Sequence, residues 1–213
     1  MQGHSTESTS REHSTRESNS GGSNTPLLFR TPQAWVDTVL ADFDRFLQDH
    51  AAAEKKASGM AISMLSHYPD RIELVSAMTD LAIEELSHYR EVVKWIHARG
   101  GITAADEKDP YVIRFRESIR RGKDEYLLDR LLTAGIIEAR GAERFGLIAA
   151  ALEDAGLRKF YTAIARSEER HFELFLNLAK RYFDEDVVNA RWSELLEDEA
   201  KLVRELPLRA ALH

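Results

Sequence analysis

Cysteine is absent from the 213 residues, which removes disulfides, zinc–thiolate sites, iron–sulfur clusters and thiol nucleophiles from consideration. No apolar run approaches the roughly 20 residues that span a bilayer. The N-terminus lacks the apolar stretch of a signal peptide. A soluble, cytoplasmic protein without membrane contact is therefore expected. Strand signals are also nearly missing. What is present is 43% hydrophobic and 31% charged residues with a net charge of −7, a composition able to bury a sizeable core. That charge argues mildly against bulk nucleic-acid binding, although a net value hides local patches.

Residues 1–24, "MQGHSTESTSREHSTRESNSGGSN", hold almost no apolar side chain. They bury too little surface to offset ordering entropy, so a disordered tail or expression remnant is expected there. Residues 25–213 then form one helical domain. Thr31 is placed to cap a helix with Pro32 in its first turn. A bundle helix is expected from about Asp42 to Ser66. A second starts on Asp70 as N-cap and ends at the glycine pair Gly100–Gly101. Asp109 and Pro110 open a short connecting helix. A long helix follows from Asp124 to Ala155, closed by Gly156, then another from Leu157 to about Phe183. A last helix ends at Pro207. Apolar residues recur at three- and four-residue steps in each, as core-facing helices require. The fold class is all-α: a four-helix bundle with additional connecting and C-terminal helices.

Two of the long helices carry a carboxylate and an imidazole on one face. Glu85 and His88 are three residues apart, and so are Glu168 and His171. A glutamate precedes each pair on the helix before it, Glu54 ahead of Glu85 and Glu138 ahead of Glu168. The chain thus reads as two hairpins, each supplying Glu and then Glu-x-x-His, the ligand set of a carboxylate-bridged di-metal site in a bundle core. Charge supports the reading. Four carboxylates balance two divalent ions, whereas four ionised carboxylates alone in a core cost many kcal/mol. Oxygen and nitrogen ligands without sulfur suit iron or manganese. Glu143 competes with Glu138, which keeps the repeat spacing. His50, one turn before Glu54, is open between a ligand, a partner of Glu54 and a helix-start residue. Glu84 and Glu169 read as solvated charges.

The segments "TPQAW", "DHAAAEKKA", "LAIEELSHYREV", "IIEARGAERF" and "ARSEERHFELF" together resemble the tRNA hydroxylase family called MiaE, in order and with similar spacing from about Phe29 to Tyr182. The resemblance implies a ferritin-like di-iron monooxygenase. Its expected ligands are Glu54, Glu85, His88, Glu138, Glu168 and His171. Its expected reaction hydroxylates the isopentenyl side chain of the hypermodified adenosine beside the anticodon, using O2 and two electrons from an external electron-transfer protein. The implied partner is the anticodon stem-loop of tRNA bearing that adenosine. The family often carries a cysteine in "DHAAAE", and alanines stand there in this chain.

One stretch suits such a partner. "YVIRFRESIRRGK" carries Arg114, Arg116, Arg120, Arg121 and Lys123 against Glu117 alone. Tyr111 and Phe115 interleave with the arginines, a pattern fit for phosphate contact and base stacking. A solvated charged connector is the plainer alternative. The acidic last helix is expected to face away from nucleic acid. The ligand set alone also permits a ferritin-like di-iron peroxidase, oxidase or iron-handling protein.

Overall fold

A computed structural model describes Met1 and residues 25–213, so the expected tail over residues 1–24 falls outside the described residues apart from Met1. Seven α-helices and no strand are found among the described residues: α1 Gln33–Ala41, α2 Phe43–His67, α3 Ile72–Ala98, α4 Pro110–Phe115, α5 Lys123–Ala151, α6 Ala155–Tyr182 and α7 Glu185–Glu205. A 3-10 turn, Arg116–Ser118, follows α4. None of these helices is long and apolar enough to cross a membrane. Helices α2 and α3 pack as one hairpin and α5 and α6 as the other, and α7 rests against α4 and α5.

Helix ends follow local chemistry. Asp42, Asp109, Asp154 and Asp184 each accept a hydrogen bond from a first-turn amide. Helix α3 ends on Gly100 at φ +78, whose amide bonds the His97 carbonyl while the Gly101 amide bonds that of Ile96. Those two bonds satisfy carbonyls that the last turn leaves open. No atom lies within 4 Å of a Cβ built on Gly100. Gly100→Ala should therefore cost only the left-handed strain, about 1–2 kcal/mol, read as a fall of a few degrees in melting temperature.

Three expected ends are corrected. Arg71, not Asp70, occupies the N-cap of α3 and makes no side-chain cap bond. Helix α5 ends at Ala151, because Asp154 caps α6 and draws Gly156 into the first turn of that helix. A Cβ on Gly156 would meet the Trp95 ring at 3.0 Å, so close packing is what this glycine serves. Thr31 caps nothing: its hydroxyl is taken up by Glu143 and Arg140, and Pro32 takes the N-cap of α1.

The core divides in two. One apolar cluster gathers Leu74, Met78, Leu131, Ile136, Phe175 and Leu195 among others. The second gathers Trp35, Phe46, Val92, Phe145, Ile148 and Tyr161. Along every bundle helix, a glutamate lies between a residue of one cluster and a residue of the other: Ala51, Glu54, Ala61; Leu81, Glu85, Val92; Ile136, Glu138, Phe145; Tyr161, Glu168, Phe175. The bundle holds its carboxylates in a polar layer between two apolar ones.

Candidate metal centre

Glu54 comes from α2, Glu85 and His88 from α3, Glu138 from α5, and Glu168 and His171 from α6. The structure brings all six together. Ligand atoms of Glu54, Glu85, His88 and Glu168 lie within 4.8 Å of one another, and so do those of Glu85, Glu138, Glu168 and His171. Glu85 and Glu168 belong to both groups, as carboxylates bridging two ions must. Both histidines aim Nδ1 inward. His88 Nδ1 is 3.3 Å from Glu85 Oε2, and His171 Nδ1 is 2.9 Å from Glu85 Oε1. That last pair is close but misaligned for a hydrogen bond, so both atoms are buried without one. Lone pairs that converge on a point rather than on each other fit a cation.

The electrostatics lead the same way. Burial, then repulsion from Glu85, raises the Glu54 carboxyl well above its ordinary value. Burial and Glu168 do the same to Glu138. Burial alone would raise Glu85 too, but the imidazoles of His171 and His88 beside its two oxygens outweigh it and hold this carboxyl low. Burial would lower both imidazoles. The glutamates overcome it, pushing His88 to about 10 beside Glu54 and Glu85 and His171 to about 12 beside Glu168 and Glu85. Protons thus hold together a layer that divalent cations would neutralise with better geometry.

Two residues flank the cluster: His50, for which the structure selects the role of a partner of Glu54, and Glu84, which carries more than the sequence suggested. His50 is fully buried, with Nε2 2.6 Å from Glu54 Oε1 and Nδ1 3.2 Å from the Tyr161 hydroxyl. Burial, with the charge of His88, lowers its pKa to about 3. The neutral ring donates from Nε2 to Glu54 and accepts from Tyr161, so His50 orients Glu54. Glu84 is not a freely solvated charge. It accepts from Ser167 and from Arg170 Nη2, and its oxygens lie 3.3 Å from His171 Nε2 and 3.8 Å from His88 Nε2. One carboxylate thus faces the outer nitrogens of both histidines, fixing ring orientation as outer carboxylates do in metal sites. Its i,i+4 spacing to His88 was the available signal. Glu169 is exposed, as expected. Glu143 stands apart from the cluster, paired with Arg140 and bonded to Thr31.

The basic connector is rearranged relative to expectation. Tyr111 and Phe115 are each 1% exposed and face the core, so neither is free to stack on a base. Arg120 is engaged by Asp129, through its amide at 2.9 Å, Nε at 3.0 Å and Nη2 at 2.8 Å. Arg114 pairs with Glu205 of α7 at 2.6 Å, so the acidic last helix packs against the connector. Arg116, Arg121 and Lys123 are exposed and form no ion pair among the described residues.

A cavity of about 530 Å3 joins connector and cluster. Glu54, Glu85, Glu138 and Glu168 lie at its inner end. Met60, Met64, Val112, Ile113, Ala134 and Ile137 give it an apolar wall. Exposed Lys56, Lys108 and Arg116 stand at its outer edge. Such a volume suits a small organic group.

Comparisons with known proteins agree in kind. The family profile described as tRNA-(MS[2]IO[6]A)-hydroxylase (MiaE) matches residues 22–213. A tRNA 2-(methylsulfanyl)-N(6)-isopentenyladenosine(37) hydroxylase of Pseudomonas putida is 35% identical over 166 residues, covering 78% of this chain and 80% of that protein. One of the same description from Salmonella typhimurium is 32% identical over 155 residues, covering 73% of this chain but only 56% of that protein. Among solved structures, "Protein 43 with aldehyde deformylating oxygenase activity from Synechococcus" superposes with a TM-score of 0.84 at 33% identity, over 88% of this chain and 94% of that one.

Proposed function

The chain belongs to the MiaE family of tRNA hydroxylases, and from that premise we propose that it hydroxylates the isopentenyl group of the modified adenosine beside the tRNA anticodon, at a di-iron centre with O2 as co-substrate. The observation that carries this reading is the cavity, which runs from the four glutamates past an apolar wall to a charged edge where Lys56, Lys108 and Arg116 stand beside Glu107. Glu54, Glu85, His88, Glu138, Glu168 and His171 would hold the two irons. When bound, the irons supply reduction of O2 and insertion of one oxygen atom into an unactivated C–H bond, with two electrons from an external electron-transfer protein. The residues do the rest. Glu84 and His50 fix the ligands, the two core clusters exclude water, and the apolar wall sets the isopentenyl chain against the inner carboxylates. A tRNA substrate also implies a cytoplasmic enzyme.

Iron-loaded protein, incubated with O2, a reductant and tRNA bearing the isopentenyl modification, should yield a nucleoside heavier by one oxygen atom. Mass analysis of digested tRNA reads this directly. Absence of that product from protein with measured iron would sink the reading. A fatty aldehyde belongs in the same assay, since the structural neighbour is named for aldehyde deformylating oxygenase activity and the wall here is apolar.

The basic connector gives a second test. Arg116, Arg121 and Lys123 form no ion pair among the described residues and can meet phosphate, whereas Arg120 holds Asp129 and Arg114 pairs with Glu205. Changing Arg116, Arg121 and Lys123 together to glutamate should weaken tRNA binding sharply. The slope of log affinity against log salt should fall by about one for each phosphate that is no longer neutralised. Iron content and helicity should stay as in the parent. Unchanged tRNA binding at physiological salt would make the connector a solvated linker.

A further inference from the structure

Five buried side-chain atoms among the described residues carry no hydrogen bond: Glu85 Oε1, His171 Nδ1, Arg130 Nη1, Thr133 Oγ1 and His213 Nε2. Buried polar atoms are nearly always paired, so each exception needs a cause. The first two belong to the metal cluster. The other three come from separate turns and from the far end of the described chain, and all three residues line the one cavity that ends on that cluster.

Each of the three is left over in a specific way. Of the four helical threonines, Thr38, Thr79 and Thr162 return their hydroxyls to the carbonyl four residues back, at 2.7, 2.7 and 2.8 Å. Thr133, only 2% exposed, does not. The His213 side chain is 5% exposed, with its ring stacked on Tyr111 at 4.8 Å and Nδ1 held 3.1 Å from Asp109 Oδ2. Asp109 and Tyr111 thereby lock the ring and leave Nε2 as its free nitrogen. Arg130 sets its guanidinium over the Tyr126 ring and keeps Nη1 free. Along α5, Thr133 precedes Glu138 by five residues and Arg130 by eight. At about 1.5 Å rise per residue, these lie roughly 7.5 and 12 Å from Glu138 along the axis.

We propose that Arg130, Thr133 and His213 are the polar contacts that hold the substrate's purine base in the cavity, with its N6 substituent directed at Glu138 and Glu168. The proposal rests on the tRNA-hydroxylase reading and names how that site recognises its substrate. A purine offers ring-nitrogen acceptors and an N6–H donor. An arginine only donates, a hydroxyl does both, and the imidazole presents one further nitrogen. The isopentenyl carbons lie beyond N6, toward the carboxylates, while the ring sits at the level of Thr133 and Arg130. A fatty aldehyde has a single oxygen, which accepts from at most two donors and donates to none, so at least one of the three groups would stay unpaired, a loss that discriminates against it.

The test is equilibrium binding of the free nucleoside N6-isopentenyladenosine to the metal-free full chain, by calorimetry. The parent should bind one nucleoside per chain. Thr133→Val keeps the side-chain shape and removes the hydroxyl, and His213→Phe keeps the stack on Tyr111 and removes both nitrogens. Each should weaken binding about tenfold or more, and Thr133→Ser should restore it. Circular dichroism checks that the helices stand in each variant. No binding by the parent, or equal binding by parent and both variants, overturns the assignment. Hydroxylation of tRNA by the iron-loaded parent is scored separately. Hydroxylation without a variant effect on nucleoside binding defeats this inference alone. Variant-sensitive nucleoside binding without hydroxylation defeats the function reading alone.

Discussion

Replacing Glu85 by alanine should abolish metal binding at both halves of the cluster. The residue is 1% exposed and belongs to both groups of converging ligand atoms. Its Oε2 faces His88 and its Oε1 faces His171, so neither half of the centre is complete without it. Loading with iron(II) followed by desalting should leave about two ions per parent chain, one for each ligand group of the bundle design, and essentially none in Glu85→Ala. Glu85→Gln keeps the side-chain volume and should fail equally. Glu143→Ala should keep its metal, because Glu143 pairs with Arg140 outside the cluster. Melting temperature gives an independent readout. An ion at a hundred times its dissociation constant stabilises the parent by about 2.7 kcal/mol, and this rise should vanish in both Glu85 variants. Full iron occupancy in Glu85→Ala would break the ligand assignment, and loss of metal from Glu143→Ala would show the α5 register to be wrong.

The six clustered residues were legible because regular helical geometry places them. A three-residue step keeps Glu85 with His88 and Glu168 with His171 on one face. A hairpin of two long helices then brings a glutamate on the preceding helix to the same level, which the spacings 54 to 85 and 138 to 168 preserve. A one-turn step also links Glu84 to His88 and His50 to Glu54, but no such rule reaches their partners on other elements. Glu84 meets His171 only across the packing of α3 on α6. His50 acquires its role through Tyr161 of α6, and His213 through Asp109 and Tyr111 of the connector. The short helix α4 carried charge and aromatics at spacings that both a core face and a solvent face satisfy. Packing against α7 decided the matter by burying Tyr111 and Phe115. The misplaced ends have a similar origin. Asp70 and Asp154 look alike in sequence, and only the second accepts a first-turn amide bond.

Packing of α7 on the bundle also sets up the largest expected effect on stability. Arg140 is fully buried, and its guanidinium donates to Glu199 Oε1 at 2.8 Å and Oε2 at 3.0 Å, to the Phe29 carbonyl at 2.8 Å, and to Glu143 and Thr31. Glu199, likewise fully buried, has one other partner among the described residues, the Tyr111 hydroxyl at 3.2 Å. Arg140→Met fits the space and strands that carboxylate. Breaking a buried pair from one side costs about 3–5 kcal/mol, and in a chain of this size each kcal/mol is worth roughly 2–4 °C of melting temperature. A fall of about 10 °C is therefore expected in the metal-free protein. Arg140→Met combined with Glu199→Leu removes both charges and should recover most of it, since an apolar replacement of a buried ion pair is often neutral. Glu143 keeps its bonds from Thr31 in either variant, at 3.3 Å from the amide and 2.7 Å from the hydroxyl. A double variant as unstable as the single one would mean that the cost lies in poorer packing around residue 140 and not in the stranded charge.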